Sequence, residues 1–410
     1  MDETASQEAA SVSGADPFRE IIGVFQAFLV QGLTAFGGPV AHIGYFRREF
    51  VERRGWLSED AFADLLALAQ FLPGPASSQL GMAIGMRRAG YAGLLAAWAG
   101  FTLPAATAMI ALGCLAPHLG DYWGQGVLHG LQIAAAAVVA QAVIAMARSL
   151  AVGPIRAGIA IGGAIGLLYV HGAMAQVLAL VAGGLFGLAF LREEAAVPPD
   201  DPASHRVPPA VSATAIVLFA LLLLLLPILA AVLDSPTLSL ASVFYRTGAL
   251  VFGGGHVVLP LLQDEVVGRG WLDQNTFLGG YGAAQALPGP RFSFAGFVGA
   301  AQEAAVAGWR GGLVALVAIF APGLLLVTGV LPLWDRMKRQ PAARAALGGL
   351  NAVVVGVLAA ALWNPVLATA IHRPSDWALA AGAFVFLSIV RLPPWLVVLG
   401  FAALVGAFTR

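Results

Sequence analysis

The sequence has little charge and almost no cysteine. Only 11% of its 410 residues are charged, whereas soluble domains average about 25%, and 59% are hydrophobic. The 22 basic and 22 acidic residues cancel, so the bulk charge indicates neither nucleic acid nor a polyanionic partner. Cys114 is the single cysteine, which excludes an internal disulfide and a cysteine-based metal cluster. With a mean hydropathy of +0.83, the chain is predicted to be an integral membrane protein.

Signals for secretion and catalysis are also missing. The N-terminus is polar and acidic and lacks the features of a cleaved signal peptide, so residues 1–17 are interpreted as a disordered cytoplasmic tail. The chain contains no Gly-x-Ser-x-Gly, no His-Glu-x-x-His and no Walker-type phosphate loop. We therefore expect no enzyme, no cofactor and no catalytic or metal site. Transport, if it occurs, must run on ion gradients.

Long uncharged runs predict membrane-spanning helices. Val211–Leu233 has no charge, and about 20 apolar residues suffice for a helix to cross the hydrocarbon. Comparable runs lie at Val127–Ala147 and Gly311–Trp334. The predicted fold class is an all-α integral membrane protein with roughly nine full crossings and about four half-crossing helical hairpins, or up to about 13 segments.

Three motifs occur twice, at an offset of about 215 residues, which indicates an internal duplication. They are Phe36-Gly37-Gly38 with Phe252-Gly253-Gly254, Arg54-Gly55-Trp56-Leu57 with Arg269-Gly270-Trp271-Leu272, and Gln70-Phe71-Leu72-Pro73-Gly74-Pro75 with Gln285-Ala286-Leu287-Pro288-Gly289-Pro290. The predicted organisation is an N-terminal transport repeat (18–191), a Pro-rich cytoplasmic linker (192–210), a topology-inverting helix (211–234) and a C-terminal transport repeat (235–410).

Basic residues in matching loops predict that the two repeats are inverted. Lys and Arg accumulate in cytoplasmic loops. Four arginines precede Trp56, whereas Arg269 alone precedes Trp271. The bias reverses later, because Pro117–Gly126 has no Lys or Arg and Asp335–Arg344 has four. Opposite polarity of matching loops is typical of repeats related by an axis in the membrane plane.

The Gly and Pro clusters predict broken helices near mid-membrane. Irregular backbone in hydrocarbon is tolerated only inside protein or along a wet cavity. We expect Pro75 and Pro290 at the first position of new helices, whose free N–H groups attract anions. Arg291 follows the second turn, where a cation is costly and usually functional. Hydroxyls nearby would add donors for a tetrahedral oxyanion. The candidate substrate-binding residues are Gly37, Gly38, Pro39, His42, Pro73, Gly74, Pro75, Ser77, Ser78, Gly253, Gly254, Gly255, His256, Pro288, Gly289, Pro290, Arg291 and Ser293.

Several polar residues admit two interpretations. His42 and His256 are either substrate donors and proton carriers or helix-packing residues. Glu49 and Glu265 either carry a coupled proton or pair with nearby arginines, and their position near loop ends favours pairing. Gln70 and Gln285 are expected to tie down the broken backbone rather than contact substrate.

The motifs around His42 and Pro75, with their echoes in the second half, resemble the chromate ion transporter family in its long two-domain form. The resemblance runs from about Phe18 to Phe408. It implies export of chromate from the cytoplasm across the bacterial inner membrane, chromate resistance, and sulfate as a chemically similar competitor. The missing ATP-binding motif adds that this export is secondary active, and the polar tail places the N-terminus in the cytoplasm. The second half departs from the pattern, with Gly255 in place of Pro39 and His256 displaced.

Three functions stay open at this stage. A gradient-driven oxyanion transporter is favoured over an oxyanion channel or a sulfate importer on the same scaffold, and a saturating flux would argue against the channel. A membrane-embedded chromate reductase lacks any redox-cofactor motif. The coupling ion and the number of protomers are left open, with a homodimer as one option.

Overall fold

The computed structural model describes residues 17–36, 38–119, 125–170, 173–191, 208–251, 258–303, 306–334 and 340–408. Within these ranges the secondary structure is helical, without strands. Most of the predicted tail and linker lies outside the described residues, as do Gly37, Gly253, Gly254, Gly255 and His256.

Seven helices form the first half. They are α1 (Pro17–Thr34), α2 (Pro39–Phe46, continued by a π-helical segment Arg47–Arg53), α3 (Glu59–Phe71), α4 (Ala76–Leu119), α5 (Gln125–Leu150), α6 (Pro154–Tyr169) and α7 (Ala173–Phe190). Helix α4 is kinked at Ala89 and Gly90, where Gly90 has a φ of +62° that favours glycine. The kink divides α4 into a short first part and a long second part.

Helix α8 (Pro209–Val232) separates the halves, and only 6% of its most apolar window is buried by the rest of the protein. The second half follows with α9 (Pro236–Leu250), α10 (Val258–Val266), α11 (Gln274–Ala286), α12 (Phe294–Ala301, preceded by a 3-10 turn Arg291–Ser293), α13 (Gly308–Val330), α14 (Pro341–Ala361), α15 (Pro374–Ser388) and α16 (Pro394–Phe408). Apart from α8, the second half repeats the first helix by helix, with α12 and α13 matching the two parts of α4.

The loops between the early helices of the first half lie on one face of the bundle, here called the first face. Arg88, just before the kink in α4, is 3.1 Å from Glu20 at the start of α1. The Arg88 guanidinium also lies 5.5 Å from the ring centre of Trp56 in the α2–α3 loop. The pairs α1–α2 and α3–α4 therefore both enter the bundle from the first face and return to it.

The equivalent loops of the second half lie on the opposite, second face. The N–H of Glu303, before α13, donates to the carbonyl of Trp271 in the α10–α11 loop at 3.0 Å. Trp334, at the far end of α13, donates through Nε1 to Asp64 of α3 at 3.1 Å. Because α13 connects the second-half loops to the first-half helix α3, the two sets of loops lie on opposite faces. The repeats are thus inverted relative to one another.

The lengths of the helices indicate which of them could cross a membrane. Five helices are long and apolar enough to span a bilayer, which agrees with the predicted all-α membrane protein. Shorter apolar helices include α6, α7 and α16. Helices α15 and α16 have 15 residues each, fewer than the roughly 20 that a full crossing needs, so the number of full crossings stays a prediction. The short helix pairs α1–α2, α3–α4, α9–α10 and α11–α12 occupy the places of the predicted half-crossing hairpins.

The halves interlock by exchanging their last two helices. Helices α6 and α7 pack against α14 of the second half, whereas α15 and α16 pack against α5 of the first half. Small residues allow these contacts, because a Cβ at Gly349 would lie 2.0 Å from the Gly183 carbonyl oxygen. The exchange keeps the two sets of broken helices together at the centre.

Candidate anion-binding site

Reciprocal hydrogen bonds join the broken helices of the two halves. The N–H of Gly74, in the first Pro-Gly-Pro turn, donates to the carbonyl of Val251 at the end of α9 with a distance of 2.6 Å. The N–H of Gly289, in the second turn, donates to the carbonyl of Ala35 after α1 at 3.0 Å. Gly74 and Gly289 both have positive φ, +124° and +88°. Each turn is therefore fixed by the helix break of the other half.

Arg291 extends from the second turn to the helix break of the first half. Gly38 has a φ of +78°, and a Cβ built there would lie only 2.4 Å from Arg291 Nε. Glycine at this position satisfies both the backbone conformation and the close approach of the guanidinium. The side chain of one repeat thus contacts the backbone of the other.

The guanidinium of Arg291 is buried and incompletely bonded. The residue is 9% exposed, and its side chain hydrogen-bonds the hydroxyl of Tyr281 on α11. Its Nε and Nη1 atoms are buried without a hydrogen-bond partner among the residues that the structure describes. Among the ion pairs of the described residues, none involves Arg291. An arginine with free donors in a low-dielectric interior is suited to hold an anion.

His42 links the helix break of the first half to the start of α4. Its Nδ1 lies 3.2 Å from Ser77 Oγ and its Nε2 lies 3.2 Å from the Ala35 carbonyl oxygen. The Ala35 carbonyl is an acceptor, so the Nε2 atom carries the proton in the neutral ring and Nδ1 accepts from Ser77. The ring is 1% exposed and meets Phe101 edge-on at 5.1 Å. His42 therefore connects the Ala35 carbonyl, which the second turn also uses, to Ser77.

Two equivalent serines add unbonded hydroxyls. Ser78 and Ser293 occupy matching places after the two Pro-Gly-Pro turns, and each is 2% exposed. Within the described part of the chain, the Oγ atoms of both are buried without a hydrogen-bond partner. Buried hydroxyls normally find a partner, so these two atoms have donors available for a bound group.

Pro75 and Pro290 were expected at the first helical position, but each lies one residue before its helical segment begins. Helix α4 begins at Ala76 and the 3-10 turn of the second half begins at Arg291, so Pro75 and Pro290 precede them. Pro290 has extended backbone (φ −73°, ψ 132°), which makes it a cap rather than a helical residue. The first N–H groups of α4 remain without intrahelical acceptors. Pro39, in contrast, opens α2, with Gly38 as its cap.

A glutamine ties down the first turn, but it is Gln79 rather than Gln70. Gln79 Nε2 donates to the Pro73 carbonyl at 2.7 Å, whereas Gln70 is exposed. Gln285 is buried and donates to the Tyr281 carbonyl of its own helix at 3.4 Å. Pro288 is half-buried beside Gly289.

Glu49 and Glu265 lie near the two faces, each bonded to two arginines. Glu49 pairs with Arg54 at 2.6 Å and Arg53 at 3.0 Å, and Glu265 pairs with Arg269 at 2.9 Å and with Arg246. Burial alone would raise the pKa of Glu49, but the hydrogen bonds and charges of Arg54 and Arg53 outweigh it, so this pKa lies below its usual value. Both carboxylates are ion-paired at the faces, away from Arg291.

Tyr281 and Gln79 are site residues that the sequence motifs do not single out. Tyr281 lies ten positions before Arg291, and no spacing rule connects the two because a turn intervenes. Gln79 directly follows Ser78 on the first turn of α4, so its polar side chain in an apolar segment was an available signal.

Comparison with known proteins identifies each half separately. A family model described as "Chromate transporter" matches residues 22–188 and 238–407, leaving α8 and the segment before it unmatched. These two regions correspond to the two inverted repeats of the fold.

Curated relatives cover most of the chain. It is 32% identical to the "Chromate transport protein" of Pseudomonas aeruginosa, over 86% of this chain and 82% of that protein. It is 29% identical to the "Probable chromate transport protein" of Synechococcus elongatus, over 82% of each chain. The "Chromate transport protein" of Cupriavidus metallidurans is 27% identical over 92% of this chain and 90% of its own length. No solved structure matches the chain.

Proposed function

Because the chain belongs to the chromate transporter family, we propose that it is a secondary active transporter that exports chromate from the cytoplasm and so confers chromate resistance. The single observation that carries the proposed site is Arg291, a buried guanidinium with two unbonded nitrogens where the two repeats meet. A tetrahedral oxyanion would supply the negative charge and the acceptor oxygens that these two unbonded donors need.

The hydroxyls of Ser78 and Ser293 supply further donors in this proposal. Both follow Pro-Gly-Pro turns, and the one at Ser78 also lies on the first turn of α4, whose amide groups favour negative charge. His42 would act through Ser77, either orienting its hydroxyl or accepting its proton. Such donors recognise sulfate as well as chromate, since the two dianions share a shape.

Alternating access is supported by the inverted repeats. Repeats of opposite orientation have equivalent packings that open to opposite faces, and the site lies on the boundary between them. The reciprocal bonds of Gly74 and Gly289 would be the points about which the halves move. We assign the first face to the cytoplasm of a bacterial inner membrane, because Arg47, Arg53 and Arg88 lie there and basic loops stay inside.

The test is chromate uptake into inverted membrane vesicles, with sulfate as competitor. Arg291→Gln should lower kcat/KM about 100-fold, since a charge-assisted hydrogen bond contributes about 1.5–3 kcal/mol and Arg291 is the cation of the proposed site. Ser78→Ala should lower it about fivefold through the loss of one neutral donor.

Arg310→Gln is the matched control, because Arg310 is an exposed arginine at the start of α13 that packs over Trp309. Its uptake should equal that of the unaltered protein. Unchanged transport in both Arg291→Gln and Ser78→Ala would overturn the site. Uptake that rises without saturation would support the channel instead, and reduced chromium among the products would indicate a reductase.

A further inference from the structure

A polar cavity of about 500 Å³ opens near the second face, away from Arg291. It lies between the end of α8, the start of α9 and the segments before α11 and α13. Its size is in the range of small-ligand clefts, about 300–1,000 Å³. The polar residues that line it are Asp234, Ser235, Ser239, Ser242, Arg246, Arg269 and Gln302.

The α9 side of this cavity is a polar stripe that leads into the bundle. Ser235, Ser239, Ser242 and Arg246 are spaced by four, three and four residues, so they share one face of the helix. At 1.5 Å per residue, Arg246 lies about 15 Å along α9 from its first turn. The stripe therefore runs from the second face toward the helix break that contacts the Pro-Gly-Pro turn of the first half.

The inner part of the cavity has an excess positive charge. Glu265 is the shared partner of Arg246 and Arg269, so two cations are neutralised by one buried carboxylate. Arg269 gives Nε and Nη2 to Glu265, and Arg246 gives Nη2, which leaves further guanidinium donors on each. The side chains of Arg246 and Arg269 are 32% and 46% exposed, so their remaining donors are accessible to water. Asp234 is exposed at the outer rim.

The first half pairs the equivalent carboxylate differently, because both arginines on Glu49, Arg53 and Arg54, follow it in the same segment of the chain. The helix break aligns Gly32 with Gly248, which places Val30 at the position of Arg246. Arg246 and Arg269 share the carboxylate, because Arg269 donates twice to Oε2 of Glu265, at 3.1 and 2.9 Å, whereas Arg246 donates to Oε1. Arg246 thus stands on the inner helix where the first half has a valine, and it lines a water-accessible cavity with three serines while keeping guanidinium donors for an anion.

We propose that this cavity is a vestibule that binds the transported oxyanion in hydrated form at the second face, with Arg246 and Arg269 as its cations. The inference rests on the proposed function, because it takes the same dianion as the ligand. Two arginines at the inner end of a cavity raise the local concentration of an anion there, and they do so less as salt increases. The vestibule therefore binds more weakly than the central site and is more sensitive to ionic strength.

Equilibrium dialysis of chromate against the purified full-length protein in detergent tests this. Arg291→Gln should remove the tighter binding and leave a weaker, salt-sensitive component. Adding Arg246→Gln to that variant should weaken the remaining component at least tenfold. Arg269→Gln provides a second variant with the same expected effect, because either change leaves Glu265 with one arginine.

Arg310→Gln is again the control, since it removes an exposed positive charge near the same face but outside the cavity. Equal loss of binding in this control would attribute the effect to diffuse surface charge and overturn the vestibule. The vestibule would also be overturned if Arg291→Gln showed no remaining chromate binding. It would be overturned as well if neither Arg246→Gln nor Arg269→Gln weakened the binding that remains. Failure of the proposed function is a different result from failure of the vestibule, because in that case vesicles with the unaltered protein would transport no chromate.

Discussion

At the scale of single residues, the approach of Arg291 to Gly38 determines where the buried charge lies. Gly38 combines a φ of +78° with a guanidinium that would contact any Cβ. A positive φ costs other residues roughly 1–3 kcal/mol, and the guanidinium has a fixed partner in Tyr281. The position therefore has no room for a methyl group unless Arg291 moves.

We predict that Gly38→Ala lowers chromate transport at least tenfold, because a shift of about 1 Å in a binding group has large effects on a preorganised site. The measurement is uptake into inverted vesicles, together with the thermal stability of the purified protein. Gly44→Ala on α2 is the control, since a Cβ there meets nothing within 4 Å. Full transport by Gly38→Ala would show that Arg291 need not lie against this backbone.

Single residues were predictable where composition makes them conspicuous. Arg291 stands out because it follows a Pro-Gly-Pro turn in an apolar segment, and Ser78 because Ser293 repeats it. Tyr281 and Gln79 were missed because their roles depend on contacts across turns. The expectation that Gln70 holds the first turn was wrong for the same reason, because sequence spacing alone does not define where the side chains beside a turn point.

At the scale of elements, the half-crossing hairpins depend on paired helix breaks. Their loops carry equivalent N-caps, because Ser58 accepts from the Ala61 N–H before α3 and Asp273 accepts from the N–H groups of Asn275 and Thr276 before α11. These caps lie on opposite faces, as the contacts at the two ends of α13 require.

We predict that thiols introduced at these two caps are modified from opposite sides of the membrane. Ser58→Cys and Asp273→Cys, each in a Cys114→Ala background, would be treated with an impermeant thiol reagent in right-side-out and inverted vesicles. Ser58→Cys should react only in inverted vesicles and Asp273→Cys only in right-side-out ones. Reaction of both from the same side would mean that the repeats are parallel.

The elements themselves were largely predictable, because Gly and Pro interrupt apolar runs at the places where helices end. The helical segments after the Pro-Gly-Pro turns begin one residue later than predicted, because a proline can stand just before a helix as readily as at its first position. The π-helical segments Arg47–Arg53, after α2, and Leu362–Leu367, after α14, carry no signal in the periodicity of the sequence. Their geometry depends on tertiary packing.

At the scale of the whole molecule, duplication and inversion together bring the Pro-Gly-Pro turn of each half against the helix break of the other. The repeat and the loop charges predict two halves of opposite orientation, and the family assignment of both halves agrees with the duplication. The exchange of α6 and α7 with α15 and α16 was not predictable, because which apolar helix packs on which is a matter of shape rather than of pattern.

The central claim is that one oxyanion binds between serines and an arginine contributed by opposite halves. Its most direct measurement is protection of Ser78→Cys and Ser293→Cys, each in a Cys114→Ala background, from a small thiol reagent by sulfate, which unlike chromate does not oxidise thiols. The account predicts that sulfate slows modification at both positions and that Arg291→Gln removes this protection. Protection at one position alone, or equal protection after Arg291→Gln, would contradict it.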